Sequence, residues 1–251
     1  MNKLIMGIDI SSRSTGWALI QGDKFVDYGK INPTGRMTNA QKMHLFHVEL
    51  RKIIESKQPD EIAIEDVVQV RSVSVLKLLA RFNGIAIIEA YRKLQKDPVL
   101  FEPTKWKTYV DGCTGSSKKC QVQLAICQKY GLLTQEKIDA YKIRINDALM
   151  KLKTCGDDDS KGQLKQLKKE LRRCKKRDSS NKEKITDIEQ KIDKLKQQNV
   201  KSKKVDKKKL SEVFDKISVD IYTETSINED IADATGVAIA FQKTNGNQET
   251  K

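Results

Sequence analysis

One third of this chain cannot build the kind of core that the other two thirds can. Residues 134–217 hold 26 lysines and arginines against 15 aspartates and glutamates, so they carry +11 of the chain's +14 net charge. Only about 29% of them are apolar, against about 43% in the other 167 residues, whose net charge is +3. A chain of 251 residues has room for one domain or two on a prior of about 100–200 residues each. The contrast therefore predicts a globular domain made of residues 1–133 and 218–251, interrupted by a basic helical insertion, 134–217. Periodicity argues that the insertion is folded despite its polarity. Leu164, Leu167, Leu171 and Cys174 step 3-4-3, and so do Ile185, Ile188, Ile192 and Leu195. A continued heptad would place Asp178 and Asn181 in the seam. A helical hairpin or coiled-coil segment with its tip at Asp178-Ser179-Ser180-Asn181 is preferred to one long helix. Gly156 and the Asp157-Asp158-Asp159-Ser160 run mark a break after a helix around 138–152.

A charge excess of this size points to a polyanionic partner. Spanning a membrane is excluded, since no run of about 18 apolar residues exists. The first ten residues read as a strand ending near Asp9 rather than as a signal peptide, so a cytoplasmic location is expected. Five cysteines, odd in number and without a CxxC pair, argue for a reducing compartment and against a thiolate zinc site. His44 and His47, the only histidines, make no zinc site by themselves.

Outside the insertion, strand and helix patterns alternate. Residues 4–10 form an apolar central strand, and 15–21 and 24–31 follow as short strands joined through Gln21-Gly22-Asp23. Residues 39–56 have helical spacing and stop at Pro59. EIAIE (61–65) is a fourth strand, 74–94 a long amphipathic helix, 98–102 a fifth strand, and 117–130 and 229–242 further helices. Three meandering strands, then helix–strand–helix–strand, give a mixed α/β sheet flanked by helices.

Carboxylates fall where such sheets place their chemistry, at strand ends and helix starts. Asp9 ends the first strand, and an aspartate in so apolar a segment is costly unless paired or metal-bound. Glu65 ends the EIAIE strand. The last helix opens with Ser226-Ile227-Asn228-Glu229, a capping-box pattern. Asp230 and Asp233 follow, i and i+3, on one helical face. Small residues from Ala232 to Ala240 suit a helix lying close on a sheet. Carboxylates converging from two strands and a helix need cations, and hard oxygen ligands suit Mg²⁺ or Mn²⁺. Two such ions are a common device for in-line phosphodiester hydrolysis.

Four motifs, in order, carry a resemblance. MGIDISSRSTGWALI resembles the first hairpin of the RuvC family of Holliday junction resolvases. IAIEDVVQVRSVSVLKLLARFNGIAIIEA resembles its second carboxylate strand and the following helix. SSKKCQVQLAI is similar to its lysine-bearing helix start, and NEDIADATGVAIAF to its final D-x-x-D-A helix. The resemblance implies a ribonuclease H-like fold and a homodimer that nicks branched DNA, chiefly four-way junctions, symmetrically with two Mg²⁺ ions per site, Mn²⁺ substituting. It puts metal ligands at Asp9, Glu65, Asp230 and Asp233, with Glu229 competing with Asp230. It also implies DNA- or phosphate-contacting roles for Lys107 and Lys119, the latter catalytic, with Lys118 its neighbour and competitor and Arg71 a further DNA contact.

Two departures stand out. Relatives carry an aromatic residue three positions after the glutamate, where this chain has Val68, and compact relatives lack the insertion. A divergent, phage- or virus-encoded branch would fit. Two other function classes compete. An actin-like ATPase would use GIDISSRSTG as a phosphate loop but needs a second glycine-rich loop that the sequence lacks. A non-catalytic DNA-binding protein would have no use for carboxylates at all four positions. On helix 74–94, Val75, Leu78, Leu79, Phe82, Ile85 and Ala86 offer more apolar surface than one sheet face needs, which predicts a part in the dimer interface.

Overall fold

The computed structural model describes residues 2–33, 36–68, 72–154, 166–169 and 182–245. The elements run β1 (Leu4–Asp9), β2 (Thr15–Gln21), β3 (Lys24–Ile31), α1 (Asn39–Lys57), β4 (Glu61–Glu65), α2 (Val73–Leu94), β5 (Val99–Phe101), a short α3 (Pro103–Trp106) with a 3₁₀ turn (Lys107–Tyr109), α4 (Lys119–Lys129), α5 (Gln135–Thr154), α6 (Lys182–Thr225) and α7 (Glu229–Asn245). The chain divides into two compact units, Met1–Tyr141 with Ser218–Lys251, and Lys142–Ile217.

In the first unit five strands form one mixed sheet, ordered β3-β2-β1-β4-β5. β1–β2 and β2–β3 are antiparallel, the latter pair joined by the tight turn in which Gly22 takes φ +59°. β1–β4 and β4–β5 are parallel, with Ile8 opposite Ile64. The two-residue period of a strand sorts the side chains. Met6, Ile8, Trp17, Leu19, Ile62 and Ile64 point to one face, where Phe46, Leu50 and Ile54 of α1 and Phe82, Ala86 and Ala90 of α2 complete the core. The alternate residues Gly7, Asp9, Gly16 and Glu65 face the other way. There α7 lies on β1 and β2, buried continuously from Ile231 to Phe241.

α1 is started by a Thr38–Gln41 capping box and ended by Gln58 in the left-handed conformation just before Pro59. Arg51 of α1 forks onto the buried Glu89 of α2 through Nε and Nη2, both at 3.1 Å, and this fixes the two helices to each other. Phe82 and Ala86, expected to face a partner, are consumed by the core; the outward residues of α2 are Val73, Val75, Ile88 and Tyr91. The start of the last helix also departs from expectation. α6 continues to Thr225, and Ser226 closes it at φ +60° with its N–H on the Tyr222 carbonyl at 2.8 Å. The serine is thus unavailable as a cap, and Asn228 takes the role, its Oδ1 accepting from the Ile231 N–H at 2.9 Å.

The second unit is helical in its described residues, with Ile145, Ala148, Ile188, Ile192, Leu210, Phe214 and Ile217 buried. Ile185 to Leu195 fall within α6, as their spacing predicts, and Leu167 within the helical residues 166–169. The predicted hairpin tip at 178–181 and the break at 156–160 lie outside the described residues. No helix among the described residues is long and apolar enough to cross a membrane.

The close contact of α7 with the sheet rests on two glycines. A Cβ on Gly7 would collide with the Ala234 carbonyl oxygen, and one on Gly16 with the Asp230 carbonyl, both rigid backbone atoms. Gly7→Ala is expected to lower stability by about 3 kcal/mol or more, the upper range for overpacking a core. Gly84→Ala, mid-helix with open space around the added methyl, is expected to raise it by about 0.5–1 kcal/mol. Urea unfolding of the two variants checks both signs.

Candidate active site

Asp9 and Glu65 end adjacent parallel strands one position beyond the Ile8–Ile64 pair, so their side chains emerge together on the α7 face. α7 brings Asp230 and Asp233 within electrostatic reach of Asp9. Asp9 and Asp233 are each only 9% exposed. Burial raises the Asp9 carboxyl well above its ordinary range. Its hydrogen bond and charge interaction with Glu65 and the fields of Asp233 and Asp230 push the same way. Burial and the Glu65 charge push Asp233 from 3.8 up to about 7, against the opposing fields of Lys107 and Lys119. Its Oδ1 is buried and accepts no hydrogen bond.

The neighbours set these carboxylates individually. The indole Nε1 of Trp106 donates to Glu65 Oε1 at 2.9 Å, and the same ring covers Gly236, where a side chain would collide with it. The Asn83 amide donates to the Glu65 carbonyl oxygen at 3.3 Å. Asp230 Oδ2 accepts from the Ser14 hydroxyl at 2.6 Å and from Asn228 Nδ2 at 3.2 Å. Glu229 is committed elsewhere: Oε2 takes Lys119 Nζ at 2.7 Å and Oε1 takes the Ser218 hydroxyl at 2.9 Å. Ser218 is in turn held by the fully buried Gln123, whose amide also reaches the Ile227 carbonyl at 2.5 Å. Burial opposes the charge on Lys119, but the Glu229 hydrogen bond and the fields of Glu229, Asp233 and Asp230 outweigh it, and its pKa is raised.

The sequence profile of the family described as crossover junction endodeoxyribonuclease RuvC matches residues 5–150, more than half of the chain. The chain belongs to the RuvC family. The RuvC of Magnetococcus marinus is 33% identical over 88 residues, 34% of this chain and 49% of that relative, so the match spans about half its length. The RuvC of Alkaliphilus metalliredigens is 28% identical over 127 residues, 49% of this chain and 76% of the relative. Among solved structures, Thermus thermophilus RuvC in complex with a Holliday junction substrate is similar at 17% identity and a TM-score of 0.46, covering 53% of this chain and 82% of that one.

The RuvC profile ends before α7, so it is the fold that carries Asp230 and Asp233 to Asp9 and Glu65. Lys119, the first residue of α4, reaches the start of α7, while Lys118 is the exposed N-cap residue of α4. Lys107 sits with its Nζ 5.4 Å from the centre of the Trp106 ring and within the field of Asp233. Arg71 lies outside the described residues. Sequence reasoning missed Trp106 and Ser14. A tryptophan soon after the fifth strand carries no chemical signature until its indole is seen on Glu65. Ser14 looks like turn composition alone.

Among the described residues no three His, Cys, Asp or Glu side chains are arranged as a ready ligand set, and Asp9 and Glu65 are hydrogen-bonded to each other. Even so, the donors are all hard oxygens, and Asp233 Oδ1 lacks a partner, which fits a divalent cation better than a proton-sharing cluster. Asp9, Glu65, Asp230 and Asp233 would hold it.

A pH dependence follows. Asp233 titrates near 7 in the fold and near 3.8 in ordinary surroundings, and Asp9 shifts in the same direction. The unfolded chain therefore releases its protons first as pH rises. The metal-free protein is expected to lose stability across that interval. Asp233→Asn should flatten the loss, and added Mg²⁺ should restore stability at its upper end. A melting temperature that holds constant over the interval would contradict this electrostatic account.

Proposed function

We propose that the chain is a divalent-cation-dependent endonuclease that nicks branched DNA and resolves four-way junctions by paired incisions, acting as a homodimer. The observation that carries this reading is the convergence of Asp9, Glu65, Asp230 and Asp233, with two cationic side chains beside them and one buried carboxylate oxygen lacking a partner. Bound there, Mg²⁺ or Mn²⁺, most simply as a pair, supplies the positive charge that lets the carboxylates ionise together and that phosphodiester hydrolysis needs at the attacking and leaving oxygens.

The chain's own residues do the remaining work. Trp106 fixes the Glu65 carboxylate, and Ser14 with Asn228 fixes Asp230, so neither must be reordered when DNA arrives. Lys107 and Lys119 hold backbone phosphates over the cluster, with Lys118 and Arg71 extending the contact. Glu229 serves as the positioning residue for Lys119 rather than as a ligand, because both of its oxygens are already used. A four-way junction has approximate two-fold symmetry, and a C₂ dimer presents one such site to each of two opposed strands. The exposed Val73, Ile88 and Tyr91 of α2 lie on one side of the helix and would bury against a second copy. The work takes place in a reducing cytosol, with the +11 insertion serving as an arm that grips phosphates beyond the reach of the carboxylate domain.

Asp9→Asn, Glu65→Gln and Asp233→Asn are each expected to remove nicking of a labelled four-way junction while binding in chelator persists; cleavage retained by the Asp9 variant would end the metal-site reading. Asp230→Asn should behave like them, whereas Glu229→Gln should cost about 10–100-fold, as loss of an outer support does. For the insertion, replacing residues 157–204 with a short Gly/Ser link should leave metal-dependent nicking in place. The slope of log affinity against log salt should flatten by about 0.9 for each phosphate that the arm neutralises in the intact protein. An unchanged slope would assign the arm to a protein partner.

A further inference from the structure

A second recess adjoins the carboxylate cluster and shares a wall with it. The last turns of α6 supply Ser218, Val219 and Tyr222, α4 supplies Gln123, and the start of α7 supplies Asn228, Glu229 and Asp230, around a cavity of about 210 Å³. That volume is below the range of sites for whole small-molecule ligands and suits a single ring system. Its two sides differ in chemistry. Gln123, Ser218 and Glu229 are hydrogen-bonded to one another, and Asn228 to Asp230 and the Ile231 N–H, and together they form a fixed polar wall. Val219 and Tyr222 form the other side and are 59% and 43% exposed, an apolar surface left open beside a cluster of charged groups. Lys30 of β3 holds its Nζ 5.7 Å from the centre of the Tyr222 ring, and Lys119 stands on the Glu229 side.

We propose that this recess takes the nucleobase next to the scissile phosphate, stacked on Tyr222, with Lys30 and Lys119 on the flanking phosphates. The inference rests on the reading of the carboxylate cluster as a DNA-cleaving site. Asp230 lines both the recess and the cluster, so a base seated against Tyr222 places its own phosphate at the carboxylates. Acidic walls exclude the phosphate from the recess itself, and the two lysines supply charge where the backbone must run. Stacking on an aromatic ring accepts any base, because each has a π-face, and contributes about 1–3 kcal/mol per base. Branch points supply the occupant: a nucleotide there can leave its stack at less cost than one inside a duplex. Tyr222 is thus a positioning residue that sets which phosphate meets the carboxylates.

Two measurements on the full chain test it. First, four-way junctions carrying the fluorescent adenine analogue 2-aminopurine at single positions around the mapped cut are bound by the unaltered protein in chelator. One position flanking the cut should change its fluorescence on binding as the base moves onto the ring, and that change should disappear with Tyr222→Ala. Second, Tyr222→Ala should slow nicking about tenfold at saturating enzyme and spread the cuts over neighbouring phosphates, while Tyr222→Phe and Tyr222→Trp keep both rate and position. Wild-type cleavage with no fluorescence change at any flanking position would overturn the proposal, as would wild-type cut positions in the alanine variant. A wild-type protein that nicks no branched DNA with Mg²⁺ or Mn²⁺ would instead overturn the reading on which it rests.

Discussion

The backbone of α7 presses against β1 and β2 at Gly7 and Gly16, and the rest of the site follows from that contact. Because no side chain separates the helix from the sheet there, Asp230 and Asp233 descend to the level of Asp9 and Glu65. Asp9 and Asp233 are then buried within electrostatic reach of the half-buried Glu65, and Asp230 adds its field to Asp9. Burying like charges together is unfavourable, and the carboxyl of Asp9 is accordingly pushed well above its ordinary range and that of Asp233 up to about 7. Such a cluster is poorly satisfied as a set of acids and well matched to divalent cations.

Around this core the supporting groups form two separate sets. Trp106 links the sheet side to the helix side by donating to Glu65 while its ring covers Gly236. Glu229 belongs to the other set, with Lys119, Ser218 and Gln123. Adjacent residues of one helix, Glu229 and Asp230, therefore face different tasks, which a helical turn of about 100° per residue makes natural. Lys119 is placed beside the carboxylates by a partner that does not itself join them. The family profile covers residues 5–150, so two of the four carboxylates lie within it and two beyond it.

Much of this is legible in the sequence. The strands and helices of the first unit follow their hydrophobic periods closely, because each is amphipathic in a way that only one packing satisfies. Asp9 and Glu65 stand out because an acid at the end of an apolar strand has no bland explanation as strong as its cost. The order of four motifs points to the family. Where local patterns mislead, a neighbouring element intervenes. The Ser226 capping box fails because α6 runs on to Thr225 and uses Ser226 to terminate itself. Phe82 and Ala86 look surplus on α2 until α1 is seen to cover them.

The sequence by itself determined the elements, the family and the residue types at the site, since periodicity, turn chemistry and the cost of a lone buried charge are properties of short segments. Only the tertiary structure decided which partners each side chain meets. Asp230 meets Ser14 while Glu229 meets Lys119 and Ser218, and these partners lie as far as 216 residues away in the chain. The same holds for Trp106, whose indole acquires meaning only against Glu65, and for Tyr222, which reads as an ordinary helix residue until it is found lining the same recess as Asp230. Hydrogen bonds and shared walls between distant segments have no local signature, so they become visible only when the chain has folded.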